Sequence, residues 1–277
     1  MDSSGALAPQ GGGRGDIWRL IRSDPADGAT QMAVDEAIWQ AVAAGLAPPT
    51  LRLYAWDPPT LSLGRNQPVA DVDRGALAQA GYGLVRRPTG GRAILHIDEL
   101  TYSVALPLDH PLARGDILSS CRRLSEGLLA ALRHLGVREA TAPQEKPAGS
   151  GGPVCFETPG EFEIVVGGRK IIGSAQARGR GGLLQHGAIP LRGDIARICA
   201  FLRPTPDPAR VRARATTLSE ALGREISWDE AAEAVASGFR RAFGITLLEK
   251  SLTPWEQERA RRLREEKYAA ENWTARL

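Results

Sequence analysis

Residues 153–191 read PVCFETPGEFEIVVGGRKIIGSAQARGRGGLLQHGAIPL. Strand-like runs at 162–166 and 170–175 flank a Gly167-Gly168 pair. Two short β-prone runs separated by two glycines predict a hairpin with a primed turn. A third strand is expected over 183–191. Upstream, residues 86–107 read RRPTGGRAILHIDELTYSVALP, with strand candidates at 84–87, 93–97 and 101–106 around a second glycine turn. Further strands are expected at 50–56 and 60–63, separated by the turn residues Asp57, Pro58 and Pro59, and at 245–248. The alternation over 17–22 suits an edge strand. Helical spacing runs through 29–43, 72–80, 228–243 and 254–270. A long amphipathic helix over 116–135 opens at Asp116 and closes at Gly136. Runs of strands with helices packed on them define an α+β protein with a mixed, mostly antiparallel sheet and flanking helices.

Composition narrows the class. A chain of 277 residues with 43% hydrophobic and 24% charged residues is ordinary for a soluble globular protein. No apolar run is long enough to span a bilayer, and MDSSGALAPQGGGRGD at 1–16 lacks the basic start and apolar stretch of a secretory signal. A disordered tail at 1–16, one catalytic domain at 17–250, a C-terminal helix at 251–277 and a cytoplasmic address are therefore expected. The net charge of +3 is too small to argue for nucleic acid. Three cysteines without CxxC spacing argue against a disulfide framework or a zinc site.

Cys155 and Lys170 lie fifteen positions apart in the glycine-rich stretch. A thiol near an ammonium is a route to a thiolate nucleophile. Only four of the 35 basic residues are lysine, which singles out Lys170 mildly. Cys155 follows the GSGGPV loop, whereas Cys121 and Cys199 fall in apolar helical or turn contexts and read as small buried hydrophobes. PTGGRA at 88–93 has neither the GxGxxG spacing of a dinucleotide loop nor the GK[ST] of a phosphate loop. Its bland reading is a hairpin turn; Arg86, Arg87, Arg92 and His96 around it favour a ligand-lining loop. His96 and His186 sit beside glycine turns, and each is by its type more often a hydrogen-bonded structural residue than a catalyst. His110 and His134 read as surface residues. The basic run at 258–267 reads as a solvated helix face.

Taken together, AVDEAI at 33–38, the 86–107 block, GGRKIIGSAQ at 167–176, LLQHGAIPL at 183–191 and KYAAENW at 267–273 resemble the lipoate–protein ligase and octanoyltransferase family. The resemblance covers nearly the whole chain and extends to the related biotin–protein ligases. It implies the biotin/lipoate protein ligase catalytic-domain fold. The CysPhe at Cys155 and Phe156 is similar to the cysteine-dependent octanoyltransferases, which implies octanoyl transfer from octanoyl acyl carrier protein to a lysine of a lipoyl-domain protein. The glycine cleavage H protein is the implied acceptor, with no metal, no cofactor, no membrane and no nucleic acid. Carried onto this sequence, the catalytic pair is Cys155 and Lys170. The substrate-binding set is Arg87, Thr89, Gly90, Gly91, Arg92, Ala93, His96, Gly173, Ser174, Ala175, Gln176, His186 and Gly187. Gly90, Gly91 and Ala93 are expected to face Gly173 and Ala175 across a narrow acyl tunnel. Two positions depart from the family wording: Ile97 separates His96 from Asp98, and Thr274 follows the terminal Trp273. An ATP-dependent lipoate ligase on the same fold, with Cys155 incidental, is the competing enzyme. A lipoyl-domain binding protein without catalysis is the competing non-enzyme.

Overall fold

The computed structural model describes residues 16–142 and 163–277. Its main sheet has seven strands in the order β10-β1-β2-β6-β9-β8-β7. They are β1 (Ile17–Arg22), β2 (Thr50–Tyr54), β6 (Glu99–Pro107), β7 (Ile164–Val166), β8 (Arg169–Gly179), β9 (Gly182–Pro190) and β10 (Thr246–Glu249). A second, three-stranded sheet in the order β4-β3-β5 holds β3 (Thr60–Leu63), β4 (Gly83–Arg86) and β5 (Ile94–His96). Strands β1 and β10, β1 and β2, and β3 and β4 pair in parallel; the other neighbours are antiparallel. The hairpin expected around Gly167-Gly168 is β7–β8, and both glycines have positive φ, +55° and +75°, as a primed turn demands.

Helix α1 (Gly28–Ala43) lies on one face of the main sheet, with Met32, Ala37 and Ile38 against Tyr54 and Ala105. The opposite face is covered by α3 (Ile117–Leu135) and α6 (Trp228–Phe243), whose Leu124, Leu128, Val235 and Phe239 meet Leu51, Tyr102 and Ile172. While α5 (Leu218–Leu222) packs on the main core through Leu218, short helices α2 (Arg74–Gln79) and α4 (Pro208–Arg214) and a 3-10 turn at Ile195–Phe201 complete the smaller layer. There Leu61, Leu63, Ala93 and Val211 form a separate core. Helix α7 (Pro254–Leu263) starts in a capping box between Thr253 and Glu256. The helix expected over 254–270 then widens into a π-turn at Arg264–Tyr268 before the short α8 (Glu271–Thr274). Among the described residues no helix is long and apolar enough to cross a membrane.

Two expectations are corrected. Strand β1 is not an edge, because β10 pairs beside it. Its alternation misled because Arg19 is polar yet only 4% exposed, held in a two-pronged ion pair with Glu256 of α7. His110 is not a surface residue. Its imidazole packs edge-on against Trp18, accepts from Leu112 N and bonds Asp16 at 3.1 Å. Burial lowers its pKa below the usual value.

Candidate active site

A narrow pocket lies where the small sheet meets the centre of the main sheet beneath α1. Strand β8 contributes Gly173, Ser174 and Ala175; β9 contributes His186, Gly187 and Ala188. Met32, Tyr54, Trp56, Ser62, Arg87, Ile94, His96 and Thr101 close the remaining sides. The cavity volume is about 20 Å³, room for about one water molecule. Gly187 has no space for a side chain: a Cβ there would lie 2.4 Å from the carbonyl oxygen of Gly173 and 2.6 Å from the Tyr102 ring.

The polar frame of the pocket consists of two chains of the same design. In one, Thr89 Oγ1 bonds His186 Nε2 at 2.7 Å and His186 Nδ1 bonds Asp35 Oδ2 at 3.1 Å. In the other, Ser62 Oγ bonds His96 Nε2 at 2.8 Å and His96 Nδ1 bonds Glu99 Oε1 at 2.8 Å. Both imidazoles thus have a carboxylate at one nitrogen and a hydroxyl at the other, which fixes ring orientation. Trp56 stacks on His96 at 4.0 Å and donates to Thr101 Oγ1 at 2.8 Å. Arg87 donates to Ser62 Oγ and to the carbonyls of Ser62, Gly90 and Arg92, so it staples the glycine loop to β3.

Asp35 is the hub. It is fully buried and accepts from Arg52 Nη1, Tyr54 Oη and Ser103 Oγ, each at 2.8 Å, in addition to contacting His186. Burial alone would raise its pKa, but the His186 hydrogen bond and the Arg52 charge outweigh it, and the net shift is downward. Burial lowers the pKa of His186 and keeps it neutral. Both groups bind protons less readily folded than unfolded, so stability rises with pH through each. The expected result is a loss of stability on acidification that starts below the ordinary histidine value of 6.5 and deepens below the aspartate value of 3.8. Urea midpoints from pH 8 to pH 3 test this. A midpoint flat between pH 7 and 5 would exclude His186 as the sensing group.

Lys170 sits beside a defect in its strand. Ile164 pairs with Ile172, but Val165 pairs with Lys170, so β8 carries one extra residue. Ile171 and Ile172 both lie in the core shared with α3 and α6. Simple alternation would put Lys170 on the face of Ile172 and Ser174. The bulge breaks that alternation at Lys170, and Lys170 is not among the residues lining the cavity. Lys170 is fully buried and its Nζ bonds Glu163 Oε1.

The thirteen expected binding residues divide. Arg87, His96, Gly173, Ser174, Ala175, His186 and Gly187 line the pocket. Thr89 stands behind it on His186, and Gln176 bonds Gln185 and Cys121. Gly90, Gly91 and Arg92 are exposed on the neighbouring loop, while Ala93 is buried in the core of the small layer; none of the four is among the residues lining the cavity. Trp56, Ser62, Ile94 and His96 are among the residues that line the cavity. Cys155 lies outside the described residues. Cys199 is buried. Cys121 is partly buried, and burial pushes its thiol up to about 11. Sequence reasoning missed Asp35, Ser62 and Glu99 as members of the frame. Asp35 stood inside the AVDEAI segment, where an acidic residue within an apolar helical stretch was the available signal.

The model of the lipoyl protein ligase A/B catalytic domain matches residues 27–240. The chain is 44% identical over 271 residues to a protein of Symbiobacterium thermophilum named octanoyltransferase LipM, covering 94% of this chain and 98% of that one. A Moorella thermoacetica protein of the same name is 42% identical over 275 residues, with the same coverage. Among solved structures, lipoate–protein ligase A bound with ATP superimposes with a TM-score of 0.81 at 29% identity, covering 94% of this chain and 98% of that one. A bipartite lipoate protein ligase of Thermoplasma acidophilum gives 0.78 at 28% identity, covering 94% and 96%. The chain therefore belongs to the lipoyl protein ligase A/B catalytic-domain family. Within it, the chain is an acyltransferase.

Proposed function

We propose that this acyltransferase moves an octanoyl group from octanoyl acyl carrier protein to a lysine of a lipoyl domain, that of the glycine cleavage H protein in particular, through a thioester on Cys155. The observation that carries the reading is similarity to octanoyltransferases over 94% of the chain, joined to a fully buried lysine on β8, the strand that gives Gly173, Ser174 and Ala175 to the pocket. The Cys155 thiolate attacks the carrier thioester, a new carbon–sulfur bond forms as the old one breaks, and the departing phosphopantetheine thiolate takes a proton from the Lys170 ammonium, which leaves the lysine neutral. The amine of the acceptor lysine then attacks the octanoyl-cysteine, its proton passes to neutral Lys170, and the Cys155 thiolate departs as the amide forms. Arg87, Thr89, His96, Gly173, Ser174, Ala175, His186 and Gly187 hold or frame the acyl chain, Gln176 braces the outer end of β8, and no cofactor enters. Residues 17–250 are the proposed catalytic unit, and the cytoplasm its proposed place.

The likeness to an ATP-bound ligase gives the second reading, in which lipoate is activated by ATP. Intact mass after mixing the protein with octanoyl acyl carrier protein, without ATP, decides between them. A gain of one octanoyl group, discharged by H protein, is expected. No adduct, with transfer appearing only when ATP and lipoate are supplied, would move the protein to the ligase reading.

A further inference from the structure

We infer that Arg65, Arg92 and Arg276 form a docking surface beside the pocket for an acidic carrier protein, an inference that rests on the acyl-transfer reading. The three come together from distant parts of the chain. Arg65 N donates to Thr89 O at 2.8 Å. A Cβ on Gly64 would lie 1.9 Å from the Gly91 carbonyl oxygen, so the two backbones touch directly. Arg276 Nη2 donates to Arg65 O at 2.6 Å, and its guanidinium lies 4.5 Å over the Trp273 ring. Trp273 in turn donates to Arg86 O at 2.8 Å. The C-terminal segment is thereby seated on the glycine loop.

All three arginines are exposed, and none has a carboxylate partner among the described residues. Other exposed arginines nearby are neutralised: Arg74 by Glu271, Arg203 by Asp73. The acidic residue of the Arg65 segment, Asp71, accepts from Gln67. Arg86 beneath them is fully buried and spends its donors on the carbonyls of Gly64, Arg65, Gln67, Trp273 and Thr274. Burial, and after it the charge of Arg276, lowers its pKa. Positive charge is thus concentrated here at a cost in repulsion that an anionic partner relieves. The loop that carries it is bound to the pocket, because Arg87 lines the cavity and donates to Gly90 O and Arg92 O. In a two-step transfer both protein substrates present their reacting atom at the same cavity, so one acidic-partner surface serves both. Complementary charge of this kind speeds encounter and weakens with salt.

The test uses the full chain and its Arg65→Glu/Arg276→Glu and Arg65→Lys/Arg276→Lys variants. The Kd for apo acyl carrier protein is expected to rise about tenfold or more in the glutamate variant at low salt, with its salt dependence flattened, and to recover in the lysine variant. Acylation by the small uncharged thioester octanoyl-N-acetylcysteamine is expected to be unchanged. Equal loss with both donors, or unchanged carrier binding, overturns the inference. Inorganic phosphate that displaces carrier better than chloride at equal ionic strength overturns it too, in favour of a small-anion site. If the wild type binds carrier through these arginines yet is acylated by neither donor, the docking surface stands and the thioester reading falls.

Discussion

Replacing Cys155 with serine is expected to lower octanoyl transfer by about 10³-fold or more, while Cys121→Ser leaves it within a factor of a few. The contrast follows from the two thiols that the structure describes. Burial pushes Cys121 to about 11, so its thiolate fraction at pH 7 is on the order of 10⁻⁴. Its Sγ also accepts from Gln176 Nε2 at 3.5 Å, on the side of β8 that faces α3. Cys199 is buried in the 3-10 turn of the small layer, away from the pocket lining. Neither has the exposed setting of a nucleophile. Cys155 is the remaining thiol, and it lies fifteen positions before Lys170, a fully buried lysine of β8. Rates of transfer for the three proteins, with circular dichroism to confirm folding, check the expectation. Full activity in Cys155→Ser would end the thioester mechanism.

How far the fold was legible depended on whether a signal was local. The β7–β8 hairpin was readable because two glycines in primed-turn geometry leave few alternatives. Helix α3 was readable from both ends, since Asp116 caps Ser119 N and Gly136 takes φ +103°. The small sheet was not legible as a sheet. Its strands β3, β4 and β5 were recognised singly, but their pairing depends on long-range packing of Leu61, Leu63 and Ala93 against Val211. The edge assignment of β1 failed for a related reason, as Arg19 finds its carboxylate on Glu256 far along the chain.

The site shows the same division. Gly173, Ala175 and His186 announced themselves through glycine-rich wording and do line the cavity. The bulge beside Lys170 did not; the Ile171-Ile172 doublet, both residues in the main core, is its trace in the sequence. Asp35, Ser62 and Glu99 were hidden because burying a carboxylate or hydroxyl depends on partners that only the folded chain assembles.

Asp35→Ala is expected to destabilise the protein by about 3–5 kcal/mol, a fall of roughly 10 °C or more in Tm. The aspartate is the charge partner of Arg52, whose side chain is almost wholly buried and also bonds Ser23 and Gln31. Removing it leaves a buried guanidinium without its carboxylate. Tyr54, Ser103 and the Nδ1–H of His186 lose an acceptor in the same step. Asp35→Asn keeps an acceptor but not the charge, and is expected to lie between wild type and alanine. Because His186 orients Thr89 and lines the cavity, activity at a temperature where the alanine variant is still folded is expected to fall as well. The double variant Asp35→Leu/Arg52→Leu separates charge from packing: an isolated buried charge is the larger penalty, so the double variant is expected to recover at least 1 kcal/mol over the sum of the single changes. Simple additivity would show that Arg52 is satisfied by Ser23 and Gln31 alone. The stability of the pocket frame would then reside in the hydroxyl and imidazole bonds rather than in the ion pair.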